Sequence, residues 1–191
     1  ARLFADRRSV QKNSSATWIP PADLAHWERN MAAETVTAQI PAEELEARHL
    51  EAEKRYGNFR YQKPEGVSAG KGFVALHRTD LFKAVVQIVK KGGGENNLHY
   101  HSRVDTFWMV IKGRVRFYGP NDVLIGEFGP NEGTVTPRFS RYWFESAGDE
   151  ELELLQVAAY APHAKDGGRT DVSAQRFVPG TGELYSAAEK K

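Results

Sequence analysis

The 191-residue sequence contains no cysteine. That excludes disulfides, thiolate catalysis and cysteine-held zinc or iron–sulfur clusters. Charge of neither sign prevails: 26 Lys and Arg stand against 25 Asp and Glu, a formal net charge of +1. Composition therefore makes no electrostatic case for nucleic acid or an anionic membrane as partner. No apolar run approaches the ~20 residues of a membrane-spanning helix, and Ala1-Arg-Leu-Phe-Ala-Asp-Arg-Arg8 is too polar for a secretion signal. These absences predict a soluble cytoplasmic protein in which the sequon at Asn13 is chemically idle. With 40% hydrophobic residues, the chain has enough apolar surface for one globular domain carrying long appendages.

Residues 1–63 read as an N-terminal arm and two helices. Leu24, Trp27 and Met31 recur at three- and four-residue spacing after Pro20-Pro21, which makes one helical stripe. Pro41 opens a second helix with Ala42, Leu45, His49, Ala52 and Tyr56 on one face. Glu44/Arg48 and Glu51/Arg55 are supporting i, i+4 pairs, and Gly57 ends the helix. His26, His49 and His163 read as packing or surface residues.

Residues 64–162 read as a sheet domain. Nine strand-like runs follow one another at near-even spacing, from Phe73–His77 to Leu152–Tyr160. Turn clusters such as Gly119-Pro-Asn-Asp122 separate them, with no helix between, as in an antiparallel sandwich or barrel. Residues 163–191 form a polar extension with a possible edge strand at Gln175–Val178.

The informative stretch is Leu98-His-Tyr-His-Ser-Arg-Val-Asp105, followed by the apolar run Thr106–Lys112 and Gly113. On a strand, alternate side chains share a face, so His99 and His101 project together. Two imidazoles side by side are half of a metal site if that face looks into a cavity. Further on, Pro137-x-Phe139-x-x-Tyr142-x-x-x-Ser146 has a second characteristic spacing. Together with Gly93 and Gly113, these motifs resemble the two signatures of the cupin superfamily over roughly residues 72–162. The resemblance implies an all-β, double-stranded β-helix (jelly-roll) barrel with an N-terminal helical extension. The pattern departs from the family in three places. Thr106 occupies the position of the metal-binding Glu, Tyr142 that of the third His, and Phe139 that of a turn glycine. Asp105 is one residue out of register, so it ligates only if the chain bulges there.

Strand parity then predicts what the interior contains. With His99 and His101 facing in, Thr106, Trp108 and Val110 share their side, as do Tyr142, Phe144 and Ser146, and Leu154, Gln156 and Ala158. That lining is apolar and aromatic with a few polar groups, which suits a small-molecule site. Two readings stay open. In one, His99, His101 and Asp105 hold a divalent metal (Fe, Mn or Zn) for dioxygenase-like or isomerase/cyclase chemistry on a small carboxylate or aromatic substrate. In the other, the barrel is metal-free and Tyr142 and the histidines bind a ligand or perform acid/base chemistry. Under either reading Tyr142, Thr106 and Gln156 are the catalytic candidates, and Trp108, Phe144, Arg141 and Ser146 contact the substrate. Arg103, Arg138 and Arg141 could gather at the pocket mouth to hold an anion. The apolar stripes of the N-terminal helices need cover, from the barrel or from a second subunit, which predicts a homodimer.

Overall fold

The structure is a computed structural model describing residues 40–172 and 182–187. The expected first helix, the N-terminal arm and the expected edge strand at Gln175–Val178 all lie outside the described residues. The chain divides into two compact units, Ala1–Lys54 and Arg55–Lys191.

In the first unit, α1 spans Ala42–Glu53 and starts directly after Pro41, whose carbonyl accepts from the Leu45 amide. Proline suits this position because a helix's first amides have no partner within it. Glu43 and Glu44 in the first turn favour the positive end of the helix dipole. The Glu44–Arg48 pair forms at 2.6 Å, whereas Glu51 pairs with Lys54 at i+3.

The described residues of the second unit form eleven strands. They are β1 (Lys71–Arg78), β2 (Phe82–Val89), β3 (His99–His101), β4 (Val104–Lys112), β5 (Val115–Tyr118) and β6 (Leu124–Phe128). β7 (Gly133–Thr136), β8 (Trp143–Ser146), β9 (Leu152–Tyr160), β10 (Arg169–Asp171) and β11 (Glu183–Ser186) complete the set. All nine expected runs are strands. β10 and β11 lie within residues 163–191, read from sequence as a polar extension.

One sheet has six strands in the order β11-β1-β2-β9-β4-β7, antiparallel except for β1 with β11. Facing it are β6-β5-β8 and the short pair β10-β3, linked to each other by a bridge between His99 and Tyr142. The architecture is the all-β jelly-roll type. The described strands form separate sheets rather than one continuous closed ladder.

Between the sheets lies an aromatic core of Trp108, Phe117, Tyr142 and Phe144 with Val89, Val110, Val115, Leu152 and Leu154. A second core, on the outer face of the six-stranded sheet, packs Val74, Leu76, Ala84, Val86 and Ile88 under Val67 and Tyr61. There the Tyr61 hydroxyl donates to buried Glu153 at 2.5 Å. Being covered on both faces, β2 is buried without a break from Ala84 to Val89, which is why its sequence is nearly continuous apolar residues rather than an alternation.

Two turns position the site. Gly113, between β4 and β5, has φ +80°, and an added Cβ there would lie 3.0 Å from the Glu151 carbonyl. Phe139 also adopts a left-handed conformation, φ 65°, at the position where the family pattern has glycine. Its amide donates to the His101 carbonyl at 2.7 Å, which ties the second motif to β3.

Candidate functional site

Both histidines point inward. His99 is 1% exposed and His101 half-buried, with ring centroids 5.1 Å apart, and the Tyr142 ring lies 4.5 Å from that of His99. His99 Nδ1 is 2.7 Å from the Asn97 carbonyl, and His101 Nδ1 is 3.1 Å from the Gly167 carbonyl. A carbonyl only accepts, so each neutral ring carries its proton on Nδ1 and leaves Nε2 as a bare acceptor.

The pair borders a chamber of about 200 Å³, whose other walls are Lys71, Phe73, Lys83, Gln87, Asn96, Trp108, Tyr142, Gln156 and Arg169. Tyr142, Trp108 and Gln156 therefore stand where strand parity predicts. A larger hollow of about 530 Å³ adjoins it, sharing Lys83, His101, Gln156 and Arg169 and adding Arg103, which pairs with Asp166 at 3.2 Å.

The remaining expected site residues sit elsewhere, each for an identifiable reason. Thr106 is buried and faces inward, but it is covered in the Thr106–Thr136 register rather than forming a wall of the chamber. Phe144 interlocks with Trp108 and Phe117 at 5.4 and 5.2 Å, which makes it core. Ser146 lies further along β8, opposite Val115, with its buried hydroxyl unpartnered. Arg141 is exposed outside the chamber. Asp105 is paired with Arg138 on the outside, at 2.8 Å, and that pair lowers its carboxyl pKa. The register of β4 with β9 runs unbroken from Val104 through Thr106, so the bulge that would turn Asp105 inward is not there. Asp105 therefore lies outside the chamber, and Arg138 pairs with it there.

Sequence reading missed Lys71, Lys83, Gln87, Asn96 and Arg169. A usable signal existed on β2, where Lys83 and Gln87 interrupt an apolar strand at positions that share a face. Arg169 gave none, because its strand is short and polar.

The donor set does not complete a divalent-metal site. The two bare Nε2 atoms suit a metal, but no carboxylate lines the chamber, and no group of three His, Asp or Glu able to hold an ion occurs among the described residues. The nearby charges are mixed: Lys71, Lys83 and Arg169 are cations, while Asp171, which is not in the chamber lining, pairs with Arg169 at 2.7 Å. Burial lowers the His99 pKa to about 3, with the Arg169 cation assisting. His101 is lowered chiefly by burial, then by Arg169 and Lys83. Tyr142 is pushed up to about 12 by burial, so its ring carries a neutral O–H. Lys71, fully buried with its ammonium bonded to Asn96 Oδ1 and 4.7 Å from the Phe144 ring, is pulled down to about 7 by desolvation.

Fold and site together define a jelly-roll protein with a small, cationic, imidazole-walled chamber. No protein-family model matches the chain, and no curated protein does. It is similar to solved structures of that fold. One is a Klebsiella pneumoniae conserved protein with a double-stranded β-helix domain (17% identity, 60% of this chain and 92% of that one, TM-score 0.49). Another is an RmlC-like cupin protein from Desulfovibrio desulfuricans (19%, 52% and 97%, TM-score 0.41). A third is a cupin superfamily protein from Desulfitobacterium hafniense (16%, 56% and 98%, TM-score 0.46).

Proposed function

We propose that the protein binds a small organic acid in this chamber and carries out isomerase-type proton transfer on it with its own side chains. The observation that carries this reading is the charge of the walls. Lys71, Lys83 and Arg169 line about 200 Å³ with no carboxylate among the lining residues, and of the three Arg169 has a counter-charge, Asp171 at 2.7 Å, which is not in the lining. Lys83 is half-buried, its pKa lowered first by desolvation, and it makes no ion pair among the described residues. A partly desolvated cation without a counter-charge bears part of the cost of burying a charge, and an anionic ligand relieves it.

The volume is below the ~300–1,000 Å³ of pockets for drug-sized ligands, so the acid is short. His101, which borders both hollows, is the base: its Nε2 takes a proton from the bound acid and returns it to a neighbouring atom, ending unchanged. Tyr142 donates a hydrogen bond to the oxygen that gains charge, and Lys83 and Arg169 hold the carboxylate. Trp108 forms an apolar wall that keeps water out.

Calorimetric titration of the untagged full chain with short carboxylates and their neutral amides tests this. Carboxylates should bind and amides should not, and Lys83→Met should weaken carboxylate binding by about 10–100-fold, as for a lost charge-assisted hydrogen bond. Equal binding of acids and amides, or no binding of either, would overturn the reading. The homodimer stands as a further proposal, tested by light scattering, which should give twice the 21.4 kDa chain mass.

A further inference from the structure

Resting on that reading, we infer that the acid is a hydroxy acid, its hydroxyl seated on the Gln87–Gln156 amide pair. Gln87 is 5% exposed and lines the chamber, as does Gln156. Gln87 Nε2 donates to Gln156 Oε1 at 2.7 Å, while Gln87 Oε1 is buried with no hydrogen-bond partner. An amide beside a cavity with one polar atom unsatisfied calls for a complementary group there.

Which group follows from the chemistry of each candidate. A second carboxylate oxygen would meet a carbonyl oxygen and repel it. A methyl group would leave the acceptor buried and unpaired. A hydroxyl donates to Oε1. If both amides are instead read the other way round, the orphan is an N–H, and a hydroxyl accepts from it equally well. A hydroxyl, like the water it displaces, thus satisfies Gln87 in either orientation. The strand itself separates the two recognition points: Lys83 and Gln87 are four residues apart on one face of β2, so charge and hydroxyl are read at different places along the chamber.

Matched pairs of acids differing by one hydroxyl, such as glycolate against acetate and lactate against propionate, titrated into the full-length protein, provide the test. The hydroxy acid of each pair should bind at least about tenfold tighter, since an acid without the hydroxyl leaves a buried amide unpaired. Gln87→Leu should bring the hydroxy acid down to the affinity of its deoxy partner and leave the deoxy acid unchanged. Gln156→Leu, which removes the partner that orients Gln87, should also narrow the gap. The wild-type comparison needs no variant to fold. Acids that bind without regard to the hydroxyl, or a Gln87→Leu loss shared equally by both members of a pair, would overturn this inference and leave the anion reading standing. Failure of every acid to bind would remove both.

Discussion

At the scale of single residues, His99 makes stability depend on pH. Its folded pKa of about 3 lies far below the ordinary 6.5, with burial the first cause. The unfolded chain therefore binds a proton that the folded chain refuses, and stability rises with pH wherever the two states differ. The effect is fully present above pH 6.5 and is lost progressively as pH falls toward 3. His99→Phe should flatten the stability profile between about pH 6 and 5, where model carboxylates are still ionised. Urea unfolding of both proteins across that range measures it, and parallel profiles would show that His99 is not held neutral. This residue was legible in the sequence because His-x-His on a strand fixes a shared face. The cations around it were not, since Lys71 and Arg169 reach the chamber from strands remote in sequence, and nothing local marks a lysine as buried.

At the scale of elements, the turns carry the fold. Gly113 closes β4 onto β5 at φ +80°, with the Glu151 carbonyl and Leu152 Cα 3.0 and 3.1 Å from where a Cβ would stand. Both neighbours are backbone and cannot give way like a side-chain tip. Gly113→Ala adds a left-handed conformation worth roughly 1–2 kcal/mol to that clash, so a loss of about 2 kcal/mol or more is expected in chemical denaturation. The Asp105–Arg138 pair lies outside the core with both side chains more than 40% exposed. Asp105→Asn should cost at most about 1 kcal/mol and leave acid binding unaltered, whereas a loss of binding would return Asp105 to the site. The nine main strands were readable because each alternates or runs apolar between Gly, Pro and Asn turns. β10 and β11 were not: Arg-Thr-Asp and Glu-Leu-Tyr-Ser carry no apolar period, and pairing with β3 and β1 makes them strands. The Asp105 reading hinged on a bulge, and only the continuous β4–β9 register could decide it.

At the scale of the whole molecule, a chamber walled by cations makes stability depend on its ligand. A ligand that binds only the folded state stabilises by about 2.7 kcal/mol at a hundredfold excess over Kd, which for a chain of this length raises Tm by roughly 5–10 °C. Short acids should give that shift, and the matching amides should not. A metal-dependent fold would respond instead to chelation. Exhaustive dialysis against EDTA should leave Tm unchanged, while a fall in Tm restored by one divalent ion would mean that His99 and His101 hold a metal after all. Proton linkage separates the two cases independently. Desolvation holds Lys71 at about 7, and an anion bound beside it favours the ammonium form and raises that value. Binding between about pH 7 and 8 should therefore take up protons, seen as a dependence of the calorimetric enthalpy on the buffer's own ionisation enthalpy. Metal binding runs the other way, because a cation bound beside Lys71 disfavours its ammonium form and releases protons. The sign of the proton flux thus distinguishes an anion chamber from a metal centre even when both ligands raise Tm alike.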